Sequence, residues 1–169
     1  MSDYETNVDV DGDGQFDHVD YQENSDGSVT ITADQDNNGR IDFVAVDYDR
    51  DGRVDAAEYD SNFDGIPDEY WRDTDGDGYL DRVAGDANQD NRVDWVGADT
   101  NEDGTPDQVV ADRNFNGTPD TYVADRNLDE QYDYLAVDTN EDGTPEVAYA
   151  DDNFDGSPET VYVNDQSGS

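Results

Sequence analysis

The residues best placed to do chemistry in this chain are its carboxylates, and their spacing suits one task, the holding of a hard cation. From Asp73, oxygen-bearing side chains stand at Asp73, Asp75, Asp77 and Asp81, with Gly78 following the third. A cation of calcium's size takes about 6–8 oxygen ligands, drawn from carboxylates, amide oxygens, backbone carbonyls and water. Positions 1, 3 and 5 of such a stretch send three side-chain oxygens inward as the chain curls. Gly at position 6 permits the positive φ that the sharp turn needs. The carbonyl of position 7 is then expected to point back at the ion.

This pattern is a repeat. Asp recurs at 34, 47, 60, 73, 86, 99, 112, 125, 138 and 151, thirteen residues apart each time. Asp9 opens an earlier copy and Gln22 a shortened one, so twelve copies run from Asp9 to Val163. Positions 3 and 5 hold Asp or Asn throughout, and position 6 is Gly except at Asn91 and Glu130. Position 9 is acidic except in the short copy, where Val29 leads straight into Thr30. Residues 9–163 therefore read as one tandem-repeat domain, with 1–8 and 164–169 as flanking ends and no linker.

The candidate metal ligands follow copy by copy. They are Asp9, Asp11, Asp13 and Asp17, then Asp34, Asp36, Asn38 and Asp42, then Asp47, Asp49, Asp51 and Asp55. Next come Asp60, Asn62, Asp64 and Asp68, the set at Asp73, Asp75, Asp77 and Asp81, and Asp86, Asn88, Asp90 and Asp94. Then follow Asp99, Asn101, Asp103 and Asp107, and Asp112, Asn114, Asn116 and Asp120. The series closes with Asp125, Asn127, Asp129 and Asp133, with Asp138, Asn140, Asp142 and Glu146, and with Asp151, Asn153, Asp155 and Glu159. About ten to twelve calcium ions are expected. Magnesium suits the loops less, because it prefers a rigid octahedron and retained waters. Zinc is disfavoured without Cys and with His18 alone.

These residues resemble the first half of the EF-hand loop, and also dockerin and thrombospondin type 3 repeats. The resemblance stops at position 12, where an EF-hand closes with a bidentate Glu between helices. Here that position is mostly apolar or small, as at Ala45, Trp71, Gly97 and Val123. The closing carboxylate is expected at position 9 or at position 1 of the next copy. The likeness to thrombospondin-type and other bacterial surface repeats implies an extracellular or cell-surface setting; no signal segment is visible, and a cytoplasmic setting is the alternative.

Composition narrows the function classes. There are 47 Asp plus Glu against 8 Lys plus Arg, a formal charge of -39, and a mean hydropathy of -1.11. Such a surface repels nucleic acid phosphate and anionic membranes, and no apolar run is long enough to insert into a bilayer. Repulsion among so many carboxylates makes metal-linked folding the expectation. No Cys, a single His and no serine elbow leave catalysis without a nucleophile and base, so the chain is read as not an enzyme. The leading expectation is a calcium-stabilised structural or adhesive module with a protein or cell-surface partner, in an oligomeric state that the sequence leaves open. A calcium buffer or sensor is the alternative. An ice-binding solenoid ranks third, since outward Thr is sporadic (Thr121, Thr160).

The elements that must carry these loops are short strands. Position 8 is apolar or Pro, position 11 is largely apolar, and 11 and 13 alternate with 10 and 12 at period 2. Gly, Asp and Pro exclude helices. The expected fold is all-β, a calcium-stabilised parallel β-solenoid of about twelve 13-residue coils with a core of positions 8, 11 and 13. A thrombospondin type 3-like calcium wire with little regular structure is the alternative. In the solenoid, ions form a ladder along one edge, and each site is completed by an acid of the next copy. The loop at Gln22 is expected to bind poorly, and Glu130 to distort the loop at Asp125.

Overall fold

The computed structural model of the chain describes residues 19–164. Each copy supplies one strand, in most cases from positions 10–13. The strands are β1 (Asp20–Glu23), β2 (Val29–Ala33), β3 (Phe43–Asp47), β4 (Ala56–Tyr59), β5 (Glu69–Arg72) and β6 (Arg82–Gly85). They continue with β7 (Trp95–Ala98), β8 (Gln108–Ala111), β9 (Thr121–Ala124), β10 (Tyr134–Val137), β11 (Val147–Ala150) and β12 (Thr160–Val163). The described residues contain no helix, so the all-β expectation holds.

The expectation of parallel coils does not. β1 to β5 pair in chain order as an antiparallel meander, and β7 to β12 pair in the same way. A parallel neighbour needs a crossover of roughly a dozen residues or more. Positions 1–9 leave only nine between strands, and that stretch turns back on itself as a hairpin loop. One register repeats: position 10 of a copy faces position 13 of the next, and 11 faces 12, as in Trp95 with Ala111 and Val96 with Val110.

That register also corrects the expected core. Because 11 faces 12, the buried position switches from copy to copy, from Ala45 at position 12 to Ala57 at position 11, and from Ala136 to Ala148. Position 8 is not a uniform core position either. Val29 is fully buried, yet Ile41, Val93 and Tyr132 are exposed.

The chain divides into two compact units between Val83 and Ala84, within β6. In the first, one sheet face carries the core: Val29, Ile31, Ala33, Ala45 and Ala57, with Phe43, Val54, Trp71 and Leu80 packed against them. The other face is more polar, with Thr32 beside Val44, Val44 beside Glu58 and Glu58 beside Tyr70. In the second unit both faces are apolar. One reads Val109, Val123, Leu135, Tyr149 and Val161, the other Val110, Tyr122, Ala136, Ala148 and Tyr162.

Candidate metal centre

The nine-residue loop is built by its own carboxylates. Asp at position 1 accepts the N–H of position 6 through one oxygen, at 2.8 Å for Gly39 on Asp34, Gly104 on Asp99 and Gly143 on Asp138. Its other oxygen takes the N–H of position 4, at 2.7 Å for Glu102 and for Glu141. Position 3 accepts from position 5, as Asp49 from Asp51 at 3.0 Å. Position 5 accepts from position 7, as Asp51 from Arg53 at 2.9 Å. Position 9 accepts from position 2, as Asp55 from Tyr48 at 2.6 Å and Asp81 from Thr74 at 2.9 Å. The oxygens of positions 1, 3, 5 and 9 are thus fixed by backbone donors while keeping lone pairs for another ligand.

Two positions turn left-handed, and the expectation named only one. Position 6 does so as Gly78 at φ 96, and position 4 does so with side chains as large as Phe63 at φ 58 and Leu128 at φ 60. A bulky residue there is strained. The bond from the position 4 N–H to the aspartate of position 1 offsets that strain.

In five of the described loops three carboxylates close into a cluster with one oxygen of each within 4.8 Å of the others. These are Asp34, Asp36 and Asp42; Asp47, Asp49 and Asp55; Asp73, Asp75 and Asp81; Asp138, Asp142 and Glu146; and Asp151, Asp155 and Glu159. Oxygens bound to one calcium ion lie at most about 5 Å apart, and these spacings fall within that limit. In the loops opening at Asp60, Asp86, Asp99, Asp112 and Asp125, position 3 is the amide Asn62, Asn88, Asn101, Asn114 or Asn127. Positions 5 and 9 there are Asp64 and Asp68, Asp90 and Asp94, Asp103 and Asp107, Asn116 and Asp120, and Asp129 and Asp133.

Burial sharpens the electrostatics. Among the described residues fourteen aspartates are buried: 42, 47, 60, 68, 86, 94, 99, 107, 112, 120, 125, 133, 138 and 151. All occupy positions 1 or 9. The whole chain holds only 8 Lys plus Arg, too few to match them. Asp42 Oδ1 and Glu146 Oε1 are buried without a hydrogen-bond partner, and both residues belong to the clusters above. Burial pushes the Asp151 carboxyl up, but the N–H groups of Gly156, Asp155, Phe154 and Asn153 outweigh it and leave its pKa below the ordinary value. At Asp81 burial again opposes, and donors from Thr74, the charge of Arg82 and the Asp75 N–H again prevail.

Two expectations change. Successive hairpin loops leave opposite ends of the strands, so the adjacent loop is the one two copies on. The Asp60 N–H donates to the Asp42 carbonyl at 2.8 Å, and that of Asp138 to Asp120 at 2.8 Å. An acid from the next copy therefore cannot close a site, and each cluster lies within one loop. Glu130 does not distort its loop, because its N–H still reaches Asp125 at 2.7 Å with φ 68. The Gln22 copy forms no nine-residue loop, since Gln22 lies in β1 and a short turn at Asn24–Ser28 joins β1 to β2. Asp9, Asp11, Asp13 and Asp17 lie outside the described residues.

Thr121, expected to face outward, is buried. Among the described residues no helix is long and apolar enough to cross a membrane. Comparison of the chain with known protein families, curated proteins and solved structures gives no match.

Proposed function

We propose that the chain is a calcium-binding repeat protein whose loops fold around the ion, serving as a calcium-stabilised structural or adhesive module. The observation that carries this is the set of fourteen buried aspartates among the described residues of a chain with 8 Lys plus Arg. Buried carboxylates must be paired, protonated or metal-bound. Backbone donors fix their geometry but leave net charge, which divalent ions on the loops would reduce. All-oxygen donor sets favour calcium over zinc, and an irregular set of carboxylates and amide oxygens suits calcium better than the near-ideal octahedron magnesium demands.

Structural duty follows from where the ions would sit. Each loop closes a hairpin, so its ligands are also the residues that join neighbouring strands. A calorimetric titration of the full chain tests this: many calcium ions per chain are expected, with weaker heats for magnesium. Absence of calcium heat would contradict the proposal. Affinity in the range of about 10⁻⁴–10⁻³ M suits an extracellular module, and much tighter sites suit a buffer or sensor.

A further inference from the structure

The loop that opens at Asp125 holds a cation of its own. Arg126 Nε donates to Asp133 Oδ1, the carboxylate at position 9 of the same loop. Arg126 Nη2 donates to the Asp133 carbonyl at 3.5 Å and to the Asp151 carbonyl at 3.0 Å. Nη1 reaches Asp152 at 3.2 Å, and the guanidinium carbon lies 5.8 Å from the centre of the Phe154 ring. The guanidinium is therefore held by four oxygens from two adjacent loops and by one aromatic face.

We infer that Arg126 is the resident cation of this loop, and that the loop at Asp125 takes no calcium. The inference rests on the proposal that the other loops do. A guanidinium keeps its charge at any ordinary pH. A metal ion approaching Asp133 meets a carboxylate already neutralised and a positive charge already in place. Arg113 shows that an arginine at position 2 is insufficient alone. It occupies the same position in the preceding copy, where its backbone N–H reaches Asp120 at 3.3 Å. The difference lies two copies on. Asp152 stands there for Arg126, whereas the uncharged Thr139 stands there for Arg113. The pair of Arg at position 2 and Asp at the same position 26 residues later is thus the sequence mark of a self-neutralised loop.

The test counts calcium on the full chain by native mass spectrometry. Asp107→Asn should lower the count by one, Asp133→Asn should leave it unchanged, and Arg126→Gln should raise it by one. Loss of an ion in Asp133→Asn, or an unchanged count in a folded Arg126→Gln chain, would overturn the inference while leaving the calcium proposal standing. If Arg126→Gln does not fold, the paired Asp107→Asn and Asp133→Asn counts decide. A wild-type chain that binds no calcium would remove both.

Discussion

In the first unit the largest side chains shut off from solvent are Ile31 and Val29, together with Asp47 and Asp60. In the second they are Asp99 and Asp138. Both units use the same thirteen-residue plan, and Ala136, Ala148 and Ala150 give the second unit some buried hydrocarbon. Yet the first packs branched aliphatics on one face, while the second spreads Val and Tyr over two faces. Val96, Tyr149, Val161 and Tyr162 remain exposed there. A thin sheet cannot bury both faces unaided, so the second unit depends more on what neutralises its carboxylates. One repeat can thus yield a unit held mainly by hydrocarbon and another held mainly by its loops.

The largest effect expected from one substitution is Ile31→Ala, which removes the centre of the first unit's core. It should cost about 2–5 kcal/mol, measured by denaturant unfolding in saturating calcium. Val109→Ala, at a half-buried site in the second unit, should cost less. Equal costs would erase the contrast between the units.

Asp138→Asn should change sign with metal. The amide keeps one acceptor but removes a buried charge. In chelator it should stabilise the second unit, and in calcium it should destabilise it, by roughly 1–3 kcal/mol in each direction. The same sign in both conditions would mean that Asp138 carries no metal-dependent charge.

The sequence made the loops legible because each ligand position is set by local geometry. Asp at 1 and Gly at 6, as in Asp34 and Gly39, meet within five residues. Short strands were legible from alternation at positions 10–13. Strand direction was misread as parallel, although a nine-residue connection is short for a parallel crossover. The left-handed turn at position 4 was hidden, because Phe63, Phe115 and Phe154 give no sign of φ near 60. The Arg126 bridge was hidden too, since it depends on which loops become neighbours, and that follows from the antiparallel register.

The smallest expected effects are in acid. Asp151 lies below its ordinary pKa, so its contribution to stability is present above the unfolded value, about 3.9, and is lost as pH falls through the lower folded value. Glu69, in the first unit, behaves in the opposite sense. Burial raises its pKa, a bond from Trp71 lowers it, and the charge of Asp68 raises it further, for a net rise. Its ionised form therefore destabilises the fold at neutral pH, and that cost is relieved as pH falls through the raised value. In chelator, Glu69→Gln should stabilise the first unit near pH 7 and have less effect in acid. Asp151→Asn should weaken the second unit's dependence on acid. Identical pH profiles for wild type and both variants would contradict these assignments.

Amide hydrogen exchange on the full chain, in saturating calcium and again in chelator, tests most directly whether metal on the loops holds the strands together. At calcium about a hundred times the dissociation constant, each site adds roughly 2.7 kcal/mol to the folded state. Removal of calcium should therefore strip protection from β7–β12 by a hundredfold or more, while β2–β4 around Ile31 retain part of theirs. Unchanged protection of both units in chelator would show that the buried aspartates are neutralised without metal, and would contradict the calcium-held fold.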